Sequence, residues 1–289
     1  MNEDIQLITE IDKRSPIAEA YRSIRTNLQF AGALPVRNTV ECHISSRSIR
    51  TNLQFAGAGK ELKYISFTSA IPSEGKSTTI SNVAITMGQD GKKVLLIDCD
   101  MRKPVQHKIF GLRNIGLSNI IAMGKTFDEV VQKDVYHNLD VLVCGPIPPN
   151  PSELLGSKRM QDLLDEVKDK YDYILLDMPP ILAVTDAAVM ASKVDGVVLI
   201  IRSGFVSPEE AKEAKKRLLQ GRANILGVIL NAVPQARHNG YGYGYYYYYY
   251  DNDHVKHKKE GYHQGKQNPI EMVRQGAEKL VLHLKSMRG

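Results

Sequence analysis

The sequence predicts an α/β protein: a doubly wound, mainly parallel sheet with helices on both faces. Three observations point there. From Lys63 onward, short β-branched-rich apolar runs alternate with helical segments. These runs are apolar on both faces, as strands covered on both sides must be. Two of them end in aspartate, VLLID at Val94–Asp98 and YILLD at Tyr173–Asp177. Open α/β sheets bind ligands at the carboxyl ends of their strands.

The elements follow in order. Residues 1–62 form an N-terminal region that opens on a helix containing EAYRSIRTNLQF. Glu19, Arg22 and Arg25 are spaced by three, which lines them along one helix face. The stretch RSIRTNLQFAGA occurs at 22–33 and again, identically, at 47–58. Solenoids need at least three imperfect copies, so this pair reads as a local duplication. The connecting LPVRNTVECHISS reads as irregular. Residues 63–238 form the main domain. KYISFT (63–68) reads as a strand, followed by a Gly/Pro loop and a helix over 76–89. Strands are predicted at 94–98, 139–144, 173–177, 196–201 and 225–231, with one helix over 151–170.

Residues 239–251 read NGYGYGYYYYYYD and hold eight of the fourteen tyrosines: Tyr241, Tyr243, Tyr245, Tyr246, Tyr247, Tyr248, Tyr249 and Tyr250. A strand would split the unbroken run between two faces, and every buried hydroxyl would need a partner. The glycines and flanking Asn and Asp argue for a solvated, flexible segment. Residues 252–289 form a tail with a predicted helix over 270–287. Val273, Ala277, Leu280, Leu284 and Met287 fall on one stripe of it. From Asp251 to the end, eight Lys/Arg face five Asp/Glu. The stripe suits packing on the domain or a neighbour; an anionic membrane surface is the alternative.

Composition bounds the function. The 289 residues are 43% hydrophobic and 24% charged, enough for a sizeable core. The formal net charge of +6 favours an acidic partner or membrane surface but is no nucleic-acid signature, and no nucleic-acid partner is expected. Cys42, Cys99 and Cys144 are odd in number and widely spaced, which argues against a disulfide framework or zinc site and for a reducing, cytoplasmic compartment. No apolar run approaches the ~20 residues that span a bilayer, and the N-terminus lacks the apolar core of a signal peptide.

The strongest motif is SAIPSEGKST at 69–78, placed between a strand and a helix as a phosphate loop must be. Backbone N–H groups at the helix start face phosphates there. Ser73, Glu74, Gly75, Lys76, Ser77 and Thr78 are the candidate nucleotide-binding residues. Lys76 would reach the β/γ-phosphates, Ser77 would place its hydroxyl on Mg²⁺, and Thr78 would sit near the α-phosphate. The first glycine of the motif is replaced by Ala70. Asp98 and Asp100, in LLIDCDMRKP, and Asp177, in YILLDMPP, supply carboxylates at strand ends. Simple strand-end capping is the alternative role for Asp98 and Asp177. The three motifs in this order point to an Mg²⁺–nucleotide site.

A phosphate loop, a strand ending D-x-D-x-R and a strand ending D-x-P-P resemble the deviant phosphate-loop ATPases. Within them, the chain resembles the cytoplasmic catalytic domain of bacterial tyrosine kinases of capsule and exopolysaccharide systems. EAYRSIRTNLQF, IPSEGKSTT, LLIDCDMRKP, GPIPPNPSELL, ILLDMPP, GVILN and the tyrosine cluster carry the resemblance, which covers about 17–251 apart from the duplicated insert. It implies Mg²⁺-dependent transfer from ATP to tyrosine, with Lys76, Asp98 and Asp100 catalytic and Asp98 the leading candidate for the base. Asp177 takes the outer-shell Mg²⁺ position. Arg102 and Lys103 would bind phosphate or a neighbouring subunit. Asn231 stands where related ATPases read the base, or caps a strand end. The tyrosine cluster is the implied autophosphorylation segment, and Glu19, Arg22 and Arg25 match the E-x-x-R-x-x-R assembly motif of a ring. A transmembrane co-polymerase that activates the kinase at the inner face of the cell membrane, and a phosphotyrosine phosphatase, are the implied partners. Ser73 replaces a usual glycine, which restricts the loop if that position needs positive φ.

Two other readings compete. A switch ATPase of the partition or septum-positioning kind would carry a lysine where Ile71 stands. A catalytically dead scaffold would use the tyrosines as a sticky platform, against the intact set of Lys76, Asp98, Asp100 and Asp177.

Overall fold

The computed structural model describes residues 7, 15–30, 41–44, 49–52 and 62–232. The tyrosine cluster and the predicted 270–287 helix lie outside the described residues. Helix α1 spans Pro16–Phe30. A short hairpin follows, β1 (Glu41–Ile44) and β2 (Ile49–Asn52). Then come β3 (Tyr64–Ser69), α2 (Lys76–Gln89), β4 (Val94–Asp98), α3 (Gln106–Ile109), α4 (Leu117–Met123), α5 (Phe127–Val130), β5 (Gln132–Tyr136) and β6 (Leu139–Leu142). The remainder is α6 (Pro151–Gly156), α7 (Lys158–Val167), β7 (Tyr173–Asp177), α8 (Asp186–Ala191), β8 (Gly196–Arg202), α9 (Pro208–Gln220) and β9 (Ile225–Asn231).

The strands form one sheet in the order β2-β1-β9-β8-β3-β7-β4-β6-β5. Among the described residues, only the β1–β2 and β5–β6 pairs are antiparallel. The period of two along each strand splits the core between two layers. Leu95, Ile97, Ile174, Leu176, Val197 and Leu199 point to one face, packed by residues of α4, α7, α8 and α9. Val94, Leu96, Leu175, Ile65, Phe67, Val198 and Ile200 point to the other, packed by α1 and α2. This is the expected doubly wound arrangement.

Three expectations need correction. The predicted helix over 151–170 is two helices: the chain turns extended at Ser157, whose hydroxyl accepts from Met160 N at 3.3 Å and caps α7. The polar β5 was not predicted at all, because QKDVY carries no apolar alternation. The connector read as irregular contains β1, which pairs in parallel with β9 from Glu41↔Val228 to Ile44↔Asn231. Its partner β2 lies in the second repeat copy. The tetrapeptide IRTN is thus strand at 49–52 and helix at 24–27. The edge of β9 pairs with β1, the outer edge of β1 pairs with the second copy, and β-branched Ile and Thr tolerate both states.

Candidate active site

The site is built at the carboxyl edge of β3, β7 and β4. The phosphate loop leaves β3 and enters α2 with two residues in the left-handed region, Ser73 at φ 68° and Gly75 at φ 83°. The Ser73 position therefore needs the positive φ that glycine adopts without strain. A Cβ on Gly75 would stand 2.3 Å from Asn231 Nδ2, so glycine is required there for space as well. Glu74, between them, turns inward. Its buried carboxylate accepts from Ile71 N at 2.7 Å and from Arg202 N at 2.8 Å. Burial raises its pKa, and the backbone donors oppose that shift. Asn231 Nδ2 donates to Glu74 O at 2.8 Å, and Asn231 Oδ1 accepts from Ala232 N at 2.8 Å. Of the two roles left open for Asn231, its contacts are those of a residue tying the strand end to the loop. Helix α2 has no side-chain N-cap, which leaves its first N–H groups for a ligand.

The carboxylates gather where β4 and β7 pair, with Asp98 directly opposite Asp177. Lys76 Nζ lies 2.9 Å from Asp100 Oδ2, 3.3 Å from Asp177 Oδ1 and 3.1 Å from Ser77 Oγ. Burial disfavours the ammonium charge, but Asp177 and Asp100 outweigh it and raise the Lys76 pKa. Asp98 is fully buried. Its Oδ1 accepts from Asp100 N at 3.2 Å, and its Oδ2 accepts from Val105 N at 3.1 Å and Gln106 N at 3.0 Å. Burial, then the Asp177 charge, push its pKa up to about 8. Thr78 follows on α2 and accepts from Asn82 Nδ2 through its carbonyl at 2.8 Å.

Sequence reasoning missed Gln106. It is fully buried. Its Nε2 donates to Asp177 Oδ2 at 2.8 Å and to Ser77 O at 3.3 Å, while its Oε1 accepts from Ser81 Oγ at 2.8 Å. The residue thereby joins both aspartate-ended strands to α2, its backbone N bonding Asp98 and its side chain bonding Asp177 and α2. A glutamine two residues past a proline gives no sequence signal for this. Asp186 was also missed. It is fully buried, pairs with Arg102 Nε at 3.0 Å and Nη2 at 3.1 Å, and accepts from Ser152 Oγ. Arg102 is therefore committed within the chain, whereas Lys103 is exposed and contributes its backbone N to Asp100 Oδ1 at 3.0 Å.

Glu19, Arg22 and Arg25 divide. Arg22 Nε donates to Glu19 Oε2 at 2.8 Å at the surface. Arg25 turns inward, with Nη1 3.1 Å from Thr86 O and 3.4 Å from Asp90 Oδ1 at the end of α2. Cys99 and Cys144 are buried free thiols. Among the described residues, no helix is long and apolar enough to cross a membrane.

Three buried carboxylates face one ammonium, a surplus of negative charge that a divalent cation would offset. Among the described residues, no three acidic, His or Cys side chains converge as a self-sufficient metal cage. Residues 62–213 match the family described as AAA domain. The tyrosine-protein kinase YwqD of Bacillus subtilis (strain 168) is 46% identical over 236 residues, 81% of this chain and 89% of the relative. The chain belongs to the bacterial tyrosine-protein kinases. The kinase domain of the Escherichia coli tyrosine kinase ETK superposes with a TM-score of 0.69 at 33% identity, covering 85% of this chain and 87% of that one. The septum site-determining protein MinD of Pyrococcus horikoshii OT3 shares the fold alone, at 22% identity and a TM-score of 0.52. The switch-ATPase alternative thus has only a distant likeness behind it.

Proposed function

We propose that this kinase transfers the γ-phosphoryl group of ATP to the tyrosines of its own cluster, Tyr241 to Tyr250, in a second copy of the chain. The observation that carries the reading is the fully buried Asp98 beside the Lys76–Asp100–Asp177 cluster, at the mouth of a phosphate loop. Lys76 and the N–H groups of α2 hold the β- and γ-phosphates. Ser77, Asp98, Asp100 and Asp177 are the residues that would hold Mg²⁺, which supplies charge neutralisation at the phosphates when bound.

A phenol has a pKa near ~10. Its proton must leave as the bond to phosphorus forms. Asp98, the first carboxylate of the D-x-D strand end at the mouth of the phosphate loop, is the base. The phenolic oxygen bonds the γ-phosphorus, and the bond from that phosphorus to the β–γ bridging oxygen breaks. The electron pair leaves with ADP, and the phenolic proton passes to Asp98. Lys76 holds its charge throughout.

The wider setting follows from the family. We infer recruitment to the inner face of the cell membrane by a transmembrane co-polymerase, control of capsule or exopolysaccharide synthesis, ring assembly through Glu19 and Arg22, and reversal by a phosphotyrosine phosphatase. Transfer between copies is tested by mixing two chains. One is Lys76→Met with its cluster intact; the other has all eight cluster tyrosines replaced by alanine. With Mg-ATP and a soluble activator segment, phosphotyrosine should form on the Lys76→Met chain. Phosphate forming only when both features reside in one chain would exclude transfer between copies.

A further inference from the structure

The carboxyl edge of the sheet carries an apolar feature beside the phosphate site. Strand order places β3, β7, β4 and β6 side by side. The phosphate loop, Asp177, Asp98 with Asp100, and the loop after β6 therefore follow one another along this edge. The loop over 145–150 reads GPIPPN and leaves Pro146, Ile147 and Pro149 exposed. Ile147 is 62% exposed, and Ile115, on the loop before α4, is 42% exposed.

Backbone contacts stitch the two loops together. Gly145 N donates to Asn114 Oδ1 at 3.0 Å, and Ser118 N donates to Cys144 O at 2.7 Å. Gly145 is left-handed at φ 83°, and a Cβ there would meet Asn119 Oδ1 and Ser118 Oγ at 2.6 Å. The same region is fastened to the carboxylate loop, since Arg102 Nη2 donates to Ser152 Oγ at 3.2 Å. The rim is thus held in place relative to Asp98 and Asp100.

We propose that Ile115, Pro146, Ile147 and Pro149 form the acceptor platform of the kinase, on which cluster tyrosines of a second copy pack while one of them enters the site. The proposal rests on the kinase reading above. Position supports it. In-line transfer puts acceptor and leaving group on opposite sides of the γ-phosphorus. The phosphate loop and Asn231, at the ends of β3 and β9, lie on one side of Asp98, and the rim at β6 lies on the other. Chemistry supports it too. Residues 114–119 and 145–152 contain no charged side chain, and neither do 239–250, in a chain that is 24% charged. Exposed aliphatic and proline surface packs against aromatic rings without demanding a register. A surface of that kind serves eight tyrosines without distinguishing among them.

The test uses the full chain with its eight cluster tyrosines replaced by alanine, a soluble activator segment, Mg-ATP and the peptide NGYGYGYYYYYYD as acceptor. Ile147→Ser combined with Ile115→Ser should raise the acceptor KM about tenfold and leave the KM for ATP within about twofold. Ile147→Leu, which keeps the apolar surface, should hold the parent value. Transfer with an unchanged acceptor KM would overturn the platform and leave the kinase reading standing. No transfer by the parent enzyme would overturn both. Lost self-association in sedimentation with an unchanged acceptor KM would assign the rim to a subunit contact and overturn the proposal.

Discussion

Ser73 and Gly75 hold the phosphate loop in left-handed backbone on either side of the buried Glu74. A non-glycine residue in that region costs about 1–2 kcal/mol. Returning glycine also enlarges the freedom of the unfolded chain by about 0.5–1 kcal/mol. Ser73→Gly should therefore be neutral to stabilising by up to about 1 kcal/mol in urea unfolding. Gly75→Ala should destabilise and abolish nucleotide binding, since its Cβ displaces Asn231 from Glu74 O. Asp98 sets a pH dependence. Its folded pKa, about 8, lies above the unfolded value near ~3.9. The stability tied to its neutral form is complete below the unfolded value and is lost as pH rises through the folded one. The difference in melting temperature between Asp98→Asn and the parent, without nucleotide, should move in favour of the variant from pH 5 to pH 8. At this scale Lys76, Asp98, Asp100 and Asp177 were legible, because each sits in a motif or at an apolar strand end. Gln106 and Asp186 were not. Their roles depend on which loops the fold brings together, and neither residue type nor spacing encodes that.

Loops and helix ends fasten these residues. The D-x-D-x-R loop is strapped to α8 by Arg102 and the fully buried Asp186. Arg102→Ala would leave that carboxylate with Ser152 as its side-chain partner, costing about 2–3 kcal/mol in urea unfolding. A loss within experimental error would mean the strap contributes no stability. Helix α1 is fastened by Arg25, whose guanidinium meets the carbonyl end of α2. Arg25→Ala should cost about 1–2 kcal/mol of stability. Glu19→Ala and Arg22→Ala, altering a surface pair, should leave stability nearly unchanged and weaken self-association in sedimentation. Strands with continuous apolar runs were legible almost to the residue, as at 94–98, 173–177 and 225–231. The β1–β2 hairpin was not: IRTN takes the helical state against α2 and the strand state in the hairpin alongside β9. Local propensity does not choose between them; the partner does.

Charge and connectivity govern the whole molecule. The chain carries a net +6, and each phosphotyrosine adds roughly −1.5 to −2. Three phosphates would bring the chain near neutrality and put negative charge on 239–250, a segment that otherwise carries none. Phosphorylation should therefore loosen self-association, visible as a lower weight-average mass at equal concentration. The doubly wound sheet and its phosphate site were both legible from the order of three motifs. The division of Glu19, Arg22 and Arg25 between surface and interior was not, because a spacing of three names a face without naming what packs on it. The most direct measurement is intact mass with phosphotyrosine mapping, after incubation with Mg-ATP and a soluble activator segment, run beside Lys76→Met. Multiple phosphates confined to Tyr241 to Tyr250, on the parent and absent from the variant, are the predicted result. ATP hydrolysis with no phosphate on any tyrosine would contradict it.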